Sequence, residues 1–259
     1  MKILIGTLIY RQGAYIFDKF LANQEQMHRL YPQSELVLAT AEEDYVPELE
    51  SVVASRELRA NVLFYKVEKP PYTKSPIWNI TCGREAIRKY MLSQDKADGL
   101  LFFDADMLYE PGTINILVNE IEGSQVLFSG APRKDFGIGL AGAGCLIMKK
   151  EVLKKLKFRC YEFMNGQVIY EDNVLEMDLF STGAKVKKGF FVSMDHYINA
   201  VDFKHLDQQK VNLPRKLSNN LLLRYLLFKF SIKSHYNFAE KLKWIINILA
   251  GLPRNMYKG

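Results

Sequence analysis

The chain has 259 residues, 48 % of them apolar and 25 % charged, which is the balance of an ordinary globular domain large enough for a sizeable core. Its three cysteines, Cys82, Cys145 and Cys160, are odd in number and form no C-x-x-C pair, which excludes a disulfide scaffold or a zinc site and fits a reducing compartment. No apolar run reaches the ~18 residues that span a bilayer, and no charged-then-apolar leader is expected at the start. The net charge of +6 is unevenly placed: residues 214–259 carry nine Lys/Arg and one acid, Glu240, which leaves the rest of the chain at −2.

In chain order, residues 2–5 read as a short apolar strand. Residues 14–30 have helical spacing of Phe17, Phe20, Leu21, Met27 and Leu30. A second strand is predicted over 34–39, a helix over 46–55 and a third strand over 62–67. A Pro-rich loop over 68–76 leads into a helix over 77–91, and that loop is a candidate lid. The next stretch, Gly99 and then Leu100, Leu101, Phe102 and Phe103, is apolar without alternation, as a strand reads when both faces are covered. It ends in Asp104 and Asp106.

In an open α/β sheet, ligands bind beyond the carboxyl ends of the strands. Side chains two apart on a strand share a face, so these two carboxylates can converge on one hard cation, Mg²⁺ or Mn²⁺, shared with a phosphate. The plainer alternative is an Asp that only caps the helix predicted over 113–121.

Strands are then predicted over 126–130 and 145–148. Gly137, Gly139 and Gly142 between them spell G-x-G-x-x-G. That pattern does not follow a strand and open a helix, so it is not a dinucleotide fingerprint; its glycines allow close approach to a ligand or to a neighbouring segment. A short helix is expected over 151–156, and a longer one opens at Glu171 and Asp172 and closes at Gly183. A strand is expected over 186–194, and residues 200–203 are strand-like before His205. The alternation of strands and helices predicts an α/β fold: a mostly parallel central sheet with helices on both faces, Rossmann-like.

From Leu217 onward, leucines and aromatics alternate with cations. This gives a body of 1–213 and a basic, helical, amphipathic tail of 214–259. The tail either lies on an anionic membrane surface or packs on the body. Its aromatic and leucine content fits lipid better than nucleic acid, which is not an expected partner.

The order of Phe-Phe-Asp-Ala-Asp at 102–106, the Gly-rich strand at 142–148, Tyr-Glu-Asp at 170–172 and a lone His205 resembles the nucleotide-sugar-dependent glycosyltransferases of the GT-A fold, family-2-like in type. The resemblance covers about residues 1–206. It implies transfer of a sugar from a UDP- or GDP-sugar to a hydroxyl of a glycan or lipid-linked acceptor, with inversion at the anomeric centre and retention as the alternative. It implies Mn²⁺ or Mg²⁺ on Asp104, Asp106 and His205, with His196 the competing imidazole.

By the same resemblance, Asp172 is the general base and Glu171 positions the acceptor. Thr7, Thr40, Glu42, Arg84, Asp104 and Gly144 contact the sugar nucleotide, and Tyr72 and Trp78 line the acceptor side. The expected setting is the cytoplasm, peripheral on the inner face of a membrane. The alternatives are a nucleotidyltransferase that makes sugar nucleotides, for which residues 6–13 are a poor phosphate loop, and a non-catalytic sugar-nucleotide-binding module.

Overall fold

A computed structural model of the chain describes residues 1–68, 76–94, 97–130, 144–162, 168–206 and 255–257. The elements are β1 (Ile3–Leu8), α1 (Ala14–Leu30), β2 (Ser34–Thr40), α2 (Val46–Ala54), β3 (Ala60–Phe64), α3 (Ile77–Gln94), β4 (Gly99–Phe103) and β5 (Met107–Tyr109). They continue as α4 (Thr113–Glu120), β6 (Val126–Ser129), β7 (Cys145–Lys149), α5 (Lys150–Leu153), β8 (Cys160–Glu162), β9 (Val168–Ile169) and α6 (Glu171–Ser181). Last come β10 (Val186–Gly189), β11 (Met194–Tyr197), β12 (Phe203–Leu206) and β13 (Asn255–Tyr257).

Seven strands form the main sheet in the order β10-β6-β7-β4-β1-β2-β3. All neighbours are parallel except where β7 runs against β4 and β6. The all-apolar β4 is central and every one of its residues is buried, as a strand covered on both faces must be. Alternate residues serve different layers. Leu101 and Phe103 join the core with α1, α2 and α4, whereas Leu100 and Phe102 join the core with α3, α5 and α6. Helix α3 lies close against β1 because Gly83 has no side chain; a Cβ there would collide with Leu8 and the Tyr65 ring.

Two differences from the periodicity reading matter for the site. The chain does not stay extended through the acidic pair: β4 stops at Phe103, a turn closes with the Met107 N–H donating to the Asp104 carbonyl at 3.2 Å, and β5 follows. The expected strand over 186–194 divides into β10, parallel to β6, and β11, antiparallel to β5 and β12. Residues 190–193 carry the chain from one sheet to the other, so a single strand is broken by a change of partner.

The helix expected over 151–156 is one turn only, and the strand-like stretch before His205 is a turn, with the strand itself at 203–206. The Gly-rich stretch at 137–142, the lid residues 69–75 with Tyr72, and the expected tail helices lie outside the described residues. Of the tail, only β13 is described; it pairs antiparallel with β8. No helix among the described residues is long and apolar enough to cross a membrane. All three cysteines are buried, and none is in a disulfide.

Candidate active site

The site forms at the carboxyl end of β4. The Asp104 N–H donates to the Gly144 carbonyl at 3.1 Å, which fixes the turn against the start of β7. Tyr109, stacked on Phe103, donates its hydroxyl to the same carbonyl at 3.0 Å. Gly144 therefore flanks Asp104 directly. A Cβ at that position would lie 2.6 Å from Asp104 Oδ2, so the absence of a side chain leaves this oxygen its place.

Asp106 is held from the other side. Its carbonyl accepts the Tyr197 N–H at 2.8 Å, which extends the β5–β11 ladder by one rung. That ladder carries His196 in, and its Nε2–H donates to Asp106 Oδ2 at 3.2 Å. The hydrogen bond to Asp106 raises the His196 pKa above its ordinary value, against partial burial.

Behind the acidic pair lies Arg84 of α3, whose side chain is only 7 % exposed. Its Nη1 meets Glu171 Oε1 at 2.5 Å and its Nη2 meets Asp104 Oδ1 at 3.2 Å, while the guanidinium lies 5.6 Å from the centre of the Phe102 ring. Burial works against the Arg84 charge, but Glu171, Asp104 and Asp172 outweigh it and raise its pKa. Burial likewise pushes the Glu171 carboxyl up, with Arg84 opposing and Asp172 reinforcing the rise. Asp104 is raised by burial, opposed by Arg84 and reinforced by Asp106. One guanidinium thus ties the tip of β4 to the first residue of α6. Asp172, next on α6, is half-buried.

The expected residues divide into those that meet and those that do not. Asp104, Asp106, Arg84, Glu171 and Gly144 come together. His205 does not join Asp106; its Nδ1–H donates to Asp195 Oδ1 at 2.6 Å. In the β11–β12 register Asp195 faces His205 and His196 faces Lys204, so the two histidines occupy opposite faces of the small sheet, and His196 is the one on the Asp106 side.

Thr7 and Thr40 are fully buried at the ends of β1 and β2, and burial closes both to direct contact with a ligand. Thr40 Oγ1 accepts the Glu42 N–H, and Glu42 Oε2 accepts the Arg11 N–H at 2.8 Å, so Glu42 shapes the loop after β1. Trp78 is buried against Ile77 and Cys160 and so does not line an acceptor face.

Sequence reasoning passed over Tyr109 and the buried pair within α3, in which Glu85 accepts from Arg88 and from the Phe158 N–H. The i,i+3 spacing of Glu85 and Arg88 was visible, but nothing local showed that both are buried.

The donor set can be tested for a metal by its chemistry. The Asp104 and Asp106 side chains keep 42 % and 41 % of their surface open. Among the described residues, no group of three or more His, Cys, Asp or Glu is gathered as a ready-made metal cage. Two open carboxylates with an imidazole alongside fit an ion such as Mg²⁺ or Mn²⁺, which keeps most of its ligands from water and substrate phosphates, and do not fit a closed structural zinc site.

The chain matches no protein-family model and no curated protein in sequence. In shape it matches the mannosyltransferase PcManGT of Pyrobaculum calidifontis, solved with GDP-Man and Mn²⁺, at a TM-score of 0.51 and 13 % identity, over 96 % of this chain and 69 % of that one. Residues 1–349 of S. aureus TarS, solved with UDP, match at a TM-score of 0.51 and 13 % identity, over 96 % and 71 %.

The chain has the GT-A fold. In GT-A terms, the Asp104–Asp106 turn lies where the central sheet ends and the small β5–β11–β12 sheet begins, and α6 with Glu171 and Asp172 closes the same end.

Proposed function

We propose that this GT-A chain is a glycosyltransferase that moves a sugar from a UDP- or GDP-sugar to a hydroxyl acceptor. The observation that carries the reading is the pair of half-open carboxylates, Asp104 and Asp106, at the end of a fully buried strand. Asp104 and Asp106 would hold Mn²⁺ or Mg²⁺, with His196 rather than His205 the nearby imidazole. When bound, that ion would neutralise charge on the departing diphosphate.

In this reading Asp172 accepts the proton of the acceptor hydroxyl as its oxygen bonds to the anomeric carbon and the bond to the diphosphate breaks. Glu171 is a positioning residue: it is locked on Arg84, and so it sets the first turn of α6, which carries Asp172. Arg84 also fixes Asp104 Oδ1, which leaves Oδ2, beside Gly144, as the oxygen for the ion.

Thermal-shift titration with UDP-, GDP- and dTDP-sugars tests this. At a hundred times Kd, a donor that binds the folded state adds about 2.7 kcal/mol of stability. At least one donor is expected to raise Tm, more so with Mn²⁺ present, and Asp104→Asn is expected to abolish the Mn²⁺-dependent part. No shift with any donor would overturn the reading.

A further inference from the structure

Among the described residues six large hydrophobic side chains are exposed, and four of them, Tyr15, Ile198, Val201 and Phe203, fall on one feature: the tip of the β11–β12 hairpin and the start of α1 beneath it. Ile198, Val201 and Phe203 are 60 %, 78 % and 50 % exposed. The tip is built to hold this display. The Ile198 N–H donates to the Asp202 carbonyl at 2.8 Å, and Asn199 Oδ1 accepts the N–H groups of Val201 and Asp202 at 3.0 and 2.9 Å. Asn199 Nδ2 donates to Asp202 Oδ2 at 2.8 Å, so the one carboxylate at the tip is itself occupied.

Under the tip, Phe203 stacks on Tyr197 with ring centres 5.1 Å apart, and Tyr15 reaches the Tyr197 carbonyl. Lys19 Nζ stands 4.9 Å from the Tyr197 ring, and Lys204 is exposed on the neighbouring strand. The root of the hairpin is the Tyr197–Asp106 hydrogen bond, so this feature is the rim of the active site.

We propose that the hairpin tip inserts into the head-group and upper acyl region of an anionic lipid bilayer, which turns the mouth of the site toward the membrane surface. An apolar tip over an aromatic shelf, with Lys19 and Lys204 beside it, has the chemistry of a membrane interface, where rings sit at head-group depth and Lys stems snorkel to phosphates. A stable protein partner needs roughly 800 Å² on each side, more than a convex tip of three side chains presents. The proposal stands apart from the sugar-transfer reading and from the tail at 214–259.

The test uses the full chain. Val201→Trp places a reporter at the apex, alongside the two native tryptophans, Trp78 and Trp244. With vesicles of phosphatidylcholine and phosphatidylglycerol, its emission should shift to the blue, and brominated acyl chains should quench it more than they quench the wild type. The triple variant I198S/V201S/F203S should bind these vesicles at least about tenfold more weakly, since its apolar contact is gone. Its circular dichroism should match the wild type and its Tm should fall only slightly, because Ile198 and Val201 face outward and Phe203 gives up one stacking contact with Tyr197. Val201→Trp emission that ignores the vesicles, or a triple variant that binds them like wild type, would overturn the proposal. A donor-induced thermal shift that persists in the triple variant keeps the membrane test separate from the test of sugar transfer.

Discussion

Arg11 and Arg84 each hold two carboxylates, and they contrast in where they do it. Arg11 meets Glu48 at 2.8 Å and Asp44 at 3.4 Å, and Arg84 meets Glu171 at 2.5 Å and Asp104 at 3.2 Å. The partners of Arg11 are about half and four-fifths exposed, whereas Arg84 and Glu171 are buried. Water screens the first cluster and would replace either partner on loss. The buried Arg84–Glu171 pair has no such substitute, so each of these two charges depends on the other. Similar geometry therefore gives a surface decoration in one region and a structural joint between β4 and α6 in the other.

Breaking the joint is the largest expected effect. Arg84→Gln leaves Glu171 buried and unpaired, and removing one partner of a buried pair costs about 3–5 kcal/mol. Roughly 2–4 °C of Tm is lost per kcal/mol in a domain of this size, which thermal denaturation reads directly. The double variant R84M/E171L should regain part of that loss, since no lone charge remains between the helices.

Next in size is Gly144→Ala, which must displace the Asp104 carboxylate because the new methyl would sit 2.6 Å from Oδ2. The carboxylate is half-open and can swing, so the stability cost is about 1 kcal/mol, the low end for overpacking. The Mn²⁺-dependent thermal shift with donor should fall sharply, so function is lost where fold is kept.

A smaller effect is expected at His28, whose Nδ1 lies 3.0 Å from Ser34 Oγ. Burial, with the Arg59 charge in second place, lowers its pKa below 6.5. A depressed folded pKa contributes stability above the ordinary value that is lost as pH falls through the folded value. Stability should therefore decline less steeply in His28→Gln than in the wild type as pH drops below 6.5, which denaturant titrations at several pH values would show. The contribution is modest because the ring is only partly buried. At the bottom of the scale, Arg11→Ala should leave Tm within error of wild type, which would complete the contrast with Arg84.

Much of the scaffold was legible because its signals are local. The helix read over 14–30 is α1 in the structure, with Phe17, Phe20, Leu21 and Met27 in the core. The apolar run before Asp104 is the central strand, and Glu171 opens α6. Asp104 and Asp106 lie not on the continuous strand expected of them but on a turn whose two sides are pinned by Gly144 and Tyr197. His205 was favoured over His196, the one that meets Asp106, because spacing along the chain says how far His205 lies from Asp195 and nothing about which face of a hairpin each occupies.

The sequence by itself determined the elements and the chemistry on offer: hydrophobic period sets helix or strand, an unbroken apolar run sets a central position, and two acids at its end set the kind of ion that could bind. Only the tertiary structure decided the pairings, namely His196 with Asp106, Arg84 with Glu171 and Asp104, and a bare Gly144 beside an oxygen. Those depend on strand register and on contacts between residues 20 to 90 positions apart, and a one-residue change of register exchanges the two faces of a strand while leaving every local signal untouched.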